Sequence, residues 1–374
     1  MTAVGWPELT RLSGEYELPS TIDLRDCSGS HERLQVHEWL RSTPARHDAL
    51  AVWHGHNVLA RLFTGPDAGF NLEREKQGMQ QLAALNLPRP VLLKEGRTPT
   101  FNAWLLYEIA GDVQSLLTAW TAVASQPPLT DAQQALLAEA LGALGLLHGK
   151  GLWPSEPEFR HFVRHQGQVC LIDAGVLHGE SVGTPLRQDR VLENLGQFLA
   201  QLPARFDPWF EQLLTFYLQA NDAHALPLAA IHRRVARARE RQIRQHLPRY
   251  RRNSQVCHLL RDGGMRQAVL RSEEARLRPI LADPYAAFCS GTPCAAGGEA
   301  LAVRLETATR PVRMICYPAP TGWRQFHTSP AWRAWIGGQR RYLLGETTRR
   351  PLAVLENRHF GRLGVSCLIT EWDT

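Results

Sequence analysis

The stretch LHGKGLWPSEPEFRHFVRHQGQVCLIDAG, residues Leu147–Gly175, decides the fold of this chain. The Leu- and Ala-rich segment Ala135–Leu147 predicts a helix, and the glycines after it predict its end. The loop that follows contains two prolines, which block helix propagation. Gln168–Ile172 then has strand character, and Asp173 stands at the end of that strand. The order is therefore a helix, an acidic loop, a short hairpin and a carboxylate at the end of a strand.

This order is the layout of the catalytic segment in a kinase fold. In that segment a loop carboxylate accepts the substrate hydroxyl proton, a residue five positions later helps to hold metal, and a later Asp binds Mg²⁺. Glu156, His161 and Asp173 take these three places. Glu156 and Asp173 are thus the candidate catalytic residues, and Asp173 and His161 are the candidate metal ligands. Because the kinase pattern D-x-x-x-x-N has Asp and Asn at the first two places, the spacing indicates the fold better than the activity.

The segment resembles the Kdo/WaaP family of lipopolysaccharide core kinases, whose fold is that of protein kinases. The matching residues are Leu147-His148, Gly151, Phe162 and Leu171-Ile172-Asp173, while Pro154-Ser155-Glu156 stands where the family has His-Gly-Asp. The resemblance covers most of the chain after the first two dozen residues. It implies phosphoryl transfer from ATP, with Mg²⁺, to a sugar of the lipopolysaccharide core.

A kinase N-lobe carries a Lys on its third strand that contacts the nucleotide phosphates and pairs with a Glu on the next helix. Arg61 takes the Lys place, in the run Leu59–Phe63. Glu75 best matches the Glu on the predicted helix Phe70–Leu85, and Glu73 is the alternative. An Arg61–Glu75 ion pair would preserve the geometry of the lobe even without catalysis.

Two further features concern the nucleotide. The adenine would bind the backbone of a hinge around Glu108 and Ile109, where no particular side chain is needed. The turn Arg41–Arg46, between the first two strands, contains no Gly, so close approach of the backbone to phosphates is not favoured. This absence argues against tight binding of ATP.

The whole chain predicts an α+β fold of the protein-kinase type followed by a second, partial copy. Alternating strands and short polar turns predict an antiparallel meander in the first lobe. Two helices split by Gln126-Pro127-Pro128, the second capped by Thr130, open a helical C-lobe. The predicted divisions are a lead-in at residues 1–25, a kinase-like N-lobe at 26–110, a helical C-lobe with a basic final helix at 111–249, and a second kinase-like N-lobe without a C-lobe at 250–374.

The second N-lobe is predicted from a repeated order of elements. Ala300–Leu305, Val312–Tyr317, Pro330–Leu344, Leu352–Glu356 and Val365–Trp372 read as strand, strand, helix, strand and strand, as do the elements from Asp48 to Ile109. The place of the phosphate-binding Lys falls at or beside Cys316, so this copy lacks the cation. A short helix Glu273–Arg278, capped by Ser272 and stopped by Pro279, is expected before it.

Composition places the chain among ordinary globular proteins. It has 374 residues, 44% apolar and 21% charged, with a net charge of +6 and seven cysteines. No apolar stretch follows a basic start, so we expect no signal peptide, a cytoplasmic location and reduced thiols. The H-E-x-x-H motif is absent, which disfavours a zinc protease.

The segment Arg233–Arg252 carries nine arginines against one acid. One interpretation is a solvated helix face. The other is a patch that meets the anionic headgroups of the inner membrane, at about 1 kcal/mol per Arg. No nucleic acid is expected, because no base-stacking aromatic series accompanies the arginines.

Two functions remain open. One is ATP- and Mg²⁺-dependent transfer of phosphate to a lipopolysaccharide core sugar or other envelope sugar, through an active site with several substitutions. The alternative is a pseudokinase that binds or scaffolds partners in cell-envelope biogenesis. The concurrent changes at Arg61, Glu156, His161 and Cys316 favour the inactive form.

Overall fold

The structure is a computed structural model that describes residues 21–25, 27, 29, 31–98, 100–109, 114–165, 167–297, 299–346 and 349–372. The chain divides into two compact units. The first consists of Met1–Gln201 with Phe206–Ala236, and the second of Leu202–Arg205 with Arg237–Thr374. This division lies inside a helix of the arginine-rich segment, earlier in the chain than the predicted boundary at residue 250.

The first unit opens with an antiparallel sheet in the strand order β1-β2-β3-β4-β6-β5. The meander of three strands predicted from sequence is present as β2, β3 and β4. The strands are β1 (Thr21–Arg25), β2 (His31–Thr43), β3 (Arg46–Trp53), β4 (His56–Phe63), β5 (Val91–Arg97) and β6 (Ala103–Glu108).

Strand β1 lies within the predicted lead-in, before the predicted start of the N-lobe at residue 26. Residues 1–20 of that lead-in lie outside the described residues, but Thr21–Arg25 pairs with β2. Ile22 and Leu24 alternate with polar neighbours and are fully buried in the same core as Trp104. Burial of this alternating pair outweighs the polar composition around it.

Helix α1 (Ala68–Ala84) connects β4 to β5, and the other helices of the first unit follow the sheet. Thr130 caps α3 in a capping box with Gln133, as the sequence predicted for Thr130. The later helices are α2 (Leu116–Val123), α3 (Asp131–Gly149), α4 (Gln188–Leu199), α5 (Phe210–Ala220) and α6 (Leu228–His246), of which α6 contains the division between the units.

Short strands between α3 and α4 carry the segment that the sequence singled out, and one further short strand, just before α2, pairs with them. They form two small antiparallel sheets, in the orders β10-β9-β7 and β11-β8. Their bounds are β7 (Gln114–Ser115), β8 (Leu152–Pro154), β9 (Phe162–His165), β10 (Gln168–Leu171) and β11 (Leu177–Gly179). The β9–β10 hairpin brings Asp173 to its end, as expected from the spacing.

The second unit is built on an antiparallel sheet in the order β12-β13-β17-β18-β16-β15-β14. Its strands are β12 (Cys257–Asp262), β13 (Met265–Leu270), β14 (Thr292–Cys294), β15 (Leu301–Leu305), β16 (Val312–Tyr317), β17 (Pro351–His359) and β18 (Arg362–Glu371). Its helices are α7 (Arg271–Ala282), α8 (Pro284–Ser290) and α9 (Pro330–Leu343).

Helix α7 overturns one prediction. It begins at Arg271 and continues through Pro279, so Ser272 does not cap it and Pro279 does not stop it. Leu277 and Ile280, on either side of the proline, are buried in the core of the second unit. Their burial compensates for the backbone hydrogen bond that the proline removes.

The cysteines also differ from expectation, because Cys316 and Cys367 form a disulfide where reduced thiols were predicted. The two residues lie directly opposite each other on β16 and β18. Sequence spacing could not indicate the pair, since 51 residues separate them. In the described part of the chain, no helix is both long enough and apolar enough to span a bilayer.

Candidate functional site

Asp173 occupies the centre of the candidate site in the first unit. It follows β10 at the start of a 3₁₀ turn, Ala174–Val176, and only 1% of its surface is exposed. The backbone N–H of Ile172, just before it, donates to the carbonyl of His161 at 2.8 Å. The hairpin therefore fixes both predicted metal ligands in one place.

Four cationic or potentially cationic side chains surround the carboxylate of Asp173. Its Oδ1 accepts a hydrogen bond from Arg46 Nη1 at 2.8 Å and lies 3.5 Å from Arg61 Nη1. Its Oδ2 accepts from Arg41 Nη1 at 3.3 Å and lies 3.4 Å from His161 Nε2. Both oxygens are thus engaged by protein nitrogens.

Arg41 and Arg46 are the site residues that sequence reasoning missed. They flank the tight turn between β2 and β3, where a kinase would have its glycine-rich loop. Arg46 Nε also donates to Asp48 Oδ1 at 2.9 Å. The only signal in the sequence was the replacement of glycines in this turn by a segment with an arginine at each end.

The predicted ion pair between Arg61 and Glu75 is present. Arg61 Nη1 lies 2.7 Å from Oε2 of Glu75, and neither side chain is exposed. The N–H groups of Arg61 make no hydrogen bond, so the contact is one between charges. The alternative residue, Glu73, lies on the surface and pairs with Arg97.

Glu75 also ties helix α1 to the turn that begins at Asp173. Its Oε1 accepts from the backbone N–H of Ala174 at 3.1 Å, and its Oε2 accepts from Gly175 at 2.8 Å. Gly78, one turn later on α1, allows this approach, because a Cβ there would lie 2.1 Å from the carbonyl oxygen of Ala174. Two hydrogen bonds and the close packing at Gly78 therefore hold helix α1 against the turn.

Charges in this cluster balance. Three arginines, Arg41, Arg46 and Arg61, face three carboxylates, Asp48, Glu75 and Asp173. Burial alone would raise the pKa of Asp173, but the charges of Arg46 and Arg61 outweigh it and hold that pKa well below its ordinary value. Burial raises the pKa of Glu75, although Arg61 and Arg46 oppose the change.

His161 is held by its other ring nitrogen. Nδ1 lies 2.7 Å from the backbone carbonyl of Glu156, which can only accept, so Nδ1 carries the proton. Burial lowers the pKa of His161, despite the neighbouring charge of Asp173. The side chain of Glu156 itself is 56% exposed, with Oε2 4.0 Å from Arg160 Nη2. The structure therefore uses the backbone of Glu156 in the site and leaves its carboxylate in solvent.

The hinge prediction is only partly within view, because residues 110–113 lie outside the described residues. Glu108 pairs with Val58 at the end of β6. The backbone N–H of Ile109 donates to the carbonyl of Asn57 at 3.1 Å. That N–H is therefore engaged by the sheet rather than free for an adenine.

A second buried network supports the loop that contains Glu156. His148, at the end of α3, has Nδ1 3.0 Å from the hydroxyl of Tyr217 and Nε2 3.0 Å from Oδ1 of Asn194. Asn194 Nδ2 donates to the carbonyl of Pro154 at 2.7 Å. Burial lowers the pKa of His148 to about 4, so the ring is neutral at pH 7. The hydroxyl of Tyr217 is part of this support.

The residues around Asp173 do not fit Mg²⁺. That ion demands near-octahedral oxygen coordination, whereas the neighbours of Asp173 are guanidinium and imidazole nitrogens. Across the described ranges, no group of three or more His, Cys, Asp or Glu side chains is placed to hold a metal ion. The His161 nitrogen that faces Asp173 is a poor ligand for Mg²⁺ as well.

Comparisons with known proteins add two weak likenesses. No family model and no curated protein matches the chain. The structure titled "WaaP in complex with acyl carrier protein" aligns with 57% of this chain and 90% of its own, at 15% identity and a TM-score of 0.39. The "Structure of vaccinia related kinase 3" aligns with 63% of this chain and 79% of its own, at 14% identity and a TM-score of 0.33. At TM-scores this low, neither likeness establishes a shared fold or activity.

Proposed function

We propose that the first unit is a kinase-like binding module that does not transfer phosphate. The observation that carries this proposal is the carboxylate of Asp173, whose two oxygens lie within 3.5 Å of guanidinium nitrogens of Arg41, Arg46 and Arg61. In phosphoryl transfer that carboxylate must hold Mg²⁺. Here guanidinium groups lie against the oxygens that the ion would need.

The kinase-like reading of the unit rests on its geometry. An antiparallel sheet carries a helix between β4 and β5, and a strand cation, Arg61, meets a helix carboxylate, Glu75, at 2.7 Å. A carboxylate at the end of a hairpin, Asp173, lies beside that pair. These are the relations among the Lys, the Glu and the metal-binding Asp of a kinase.

The energy of the cluster opposes metal binding. Displacing Arg46 from Asp173 would break a largely buried ion pair, although Arg46 would keep its hydrogen bond to Asp48. The candidate base adds a second defect, since Glu156 is exposed and one methylene longer than Asp. A displacement of about 1 Å at a reacting group can cost on the order of 10²-fold in rate.

A second candidate function is phosphoryl transfer to a hydroxyl of the lipopolysaccharide core. The observation that favours it is Arg61, whose side chain is fully buried and whose nitrogens make no hydrogen bond. Arginine forks bind phosphate oxygens well. In this alternative, Arg41 and Arg46 would turn from Asp173 towards the phosphates of ATP, and Asp173 would then be released to hold Mg²⁺.

The binding module would take envelope sugars or an anionic membrane surface as partners. Arg233 is exposed on α6 and would supply charge for the inner-membrane contact predicted from the sequence. Arg234 supplies less, because its Nη1 donates to Glu193 at 3.0 Å. Arg239 is buried and donates to a backbone carbonyl. Part of the basic segment is therefore structural.

A phosphotransfer assay separates the two candidates. The full chain is incubated with radiolabelled ATP, Mg²⁺ and core oligosaccharide, beside the Glu156→Gln variant. That change affects an exposed side chain, so both proteins should fold alike. We expect incorporation no higher in the wild type than in the variant. Transfer by the wild type that the variant loses would overturn the binding-module proposal and establish the kinase.

A further inference from the structure

The second unit contains a cavity of about 560 Å³ at one end of its sheet. Its floor is a row of residues that face each other across four neighbouring strands: Leu301, Cys316, Cys367 and Leu355. Helix α8 contributes one wall, through Tyr285 and Phe288 among others. The volume lies within the range of roughly 300–1,000 Å³ that is common for small-molecule sites.

Large apolar side chains are exposed around this cavity. Tyr285 is 81% exposed, Leu301 67% and Val365 54%, although all three line it. Exposed apolar groups that converge on a concavity differ from scattered surface residues, because one ligand can cover them together. The wall formed by α8 makes the site a pocket, which suits a small molecule better than a flat protein surface.

The charge of the lining selects the kind of ligand. Of the described residues that line the cavity, none is Lys, Arg or His. Glu299, at its rim, is exposed and would repel an anion. Glu356 also borders the cavity, but it pairs in register with Arg266 and Ser366, on the opposite face of the sheet from Leu355. Asn357 supplies an amide for a single polar contact.

We propose that this cavity binds an uncharged apolar small molecule, alkyl or aromatic. The ligand lies on the Cys316–Cys367 disulfide, which forms part of the floor. Fatty-acid anions and phosphate-bearing lipids are disfavoured by the acidic rim. The site is independent of the Asp173 cluster, which belongs to the first unit.

The test is a fluorescence titration of the full chain with Nile red, followed by displacement. We expect saturable binding at one site per chain, displaced by dodecanol at least tenfold more effectively than by dodecanoate. Leu301→Glu should weaken Nile red binding at least tenfold. Leu260→Glu is the matched control, because Leu260 is 44% exposed on β12 and does not line the cavity.

A bound ligand should also protect the Cys316–Cys367 disulfide, on the floor of the cavity, from reduction. With saturating dodecanol, a phosphine reductant should release the thiols of Cys316 and Cys367 several-fold more slowly, as measured by maleimide labelling and peptide mass spectrometry. Non-saturable binding, equal loss in both Leu→Glu variants, or an unchanged reduction rate would overturn the proposal. Equal displacement by dodecanoate would overturn its uncharged class. A change in oligomeric state on Leu301→Glu would assign the surface to a second copy instead.

Discussion

Two blocks of this molecule share a strand order and differ in what holds them together. In the first unit β3 and β4, then α1, then β5 and β6 assemble as β3-β4-β6-β5. In the second unit β15 and β16, then α9, then β17 and β18 assemble as β15-β16-β18-β17. The two blocks therefore share one order of strands, while a second kinase-like N-lobe stays a prediction.

Register shows where the two blocks diverge. Val58 pairs with Glu108 at the end of β6, and Val312 pairs with Glu371 at the end of β18. Three residues further along, the first block has Arg61 and the second has Ile315. Ile315, beside Cys316, therefore stands in the second block at the register position of Arg61.

The helices diverge in the same way. Helix α1 presents the buried Glu75, whereas α9, PAWRAWIGGQRRYL, contains no acid and buries Trp332 and Trp335. One strand order therefore forms with a buried charge cluster or with apolar packing. Because buried ion pairs add little net stability over apolar packing, the fold alone does not require the cluster around Asp173.

Removing Asp173 should produce the largest difference between the blocks. Asp173→Ala leaves Arg41, Arg46 and Arg61 without their common carboxylate, at a cost of about 3–5 kcal/mol. Peptide-resolved hydrogen exchange should show faster exchange in α1 and β4 and unchanged exchange in α9 and β16. Protection in α1 equal to that of the wild type would mean that the cluster does not stabilise the first block.

Replacing the ion pair by apolar residues should make the first block resemble the second. Arg61→Leu or Glu75→Leu alone should each destabilise the first unit by about 3–5 kcal/mol, because each leaves a buried charge unpaired. The double variant should cost less than the sum, with a coupling of roughly 0.5–3 kcal/mol from urea unfolding. Strict additivity would show that the two side chains act independently.

Acid should destabilise the first unit through His148. Its pKa is about 4 when folded and 6.5 when unfolded, so the unfolded chain takes up a proton that the folded chain refuses. Stability should therefore fall as the pH drops from 6.5 to 4, by about 3 kcal/mol in total. Burial lowers the pKa of His161 too, which adds in the same direction.

Urea unfolding with pulse proteolysis at pH 7.0, 5.5 and 4.5 would report each unit by its own fragments. His148→Gln should be less stable at pH 7 and should show a weaker dependence on pH. If the unfolding free energy changes equally with pH in the wild type and the variant, other groups cause the acid sensitivity.

Replacing one glycine by alanine in α1 or in α9 should give the smallest changes in stability, with opposite signs. Gly78→Ala would place a Cβ 2.1 Å from the carbonyl of Ala174, and overpacking of this kind costs about 1–3 kcal/mol. Gly337, in α9, has open space around the same position, so Gly337→Ala should stabilise by about 0.5–1 kcal/mol. Thermal unfolding of the two variants would settle the signs, and a stabilising Gly78→Ala would refute the close approach of α1 to the turn.

Local patterns in the sequence predicted the elements well, because strands and helices follow from periodicity and from Gly and Pro positions. Comparison with the kinase pattern predicted the Arg61–Glu75 contact, and the strand pattern placed Asp173 at the end of a hairpin. The helix through Pro279 was missed, because burial in the core decided it. A short-range rule cannot include that burial.

The contacts of Arg41 and Arg46 with Asp173 could not be predicted from the sequence, for a different reason. They join residues more than a hundred positions apart, and no period in the sequence indicates where a long arginine side chain will point. The disulfide between Cys316 and Cys367 was missed for the same reason. In the sequence, the turn Arg41–Arg46, which lacks glycine and has an arginine at each end, was the only indication of arginine contacts with Asp173.

The central proposal is that arginine contacts keep Asp173 from binding Mg²⁺. Its most direct test is a thermal-shift titration of the full chain with ATP, with and without Mg²⁺. If the arginines keep Asp173 from the metal, millimolar Mg²⁺ and ATP together should raise the melting temperature no more than ATP alone. The proposal would be contradicted by a saturable, Mg²⁺-dependent rise in the melting temperature that disappears in Asp173→Asn. The variant must still melt cooperatively for this comparison to hold.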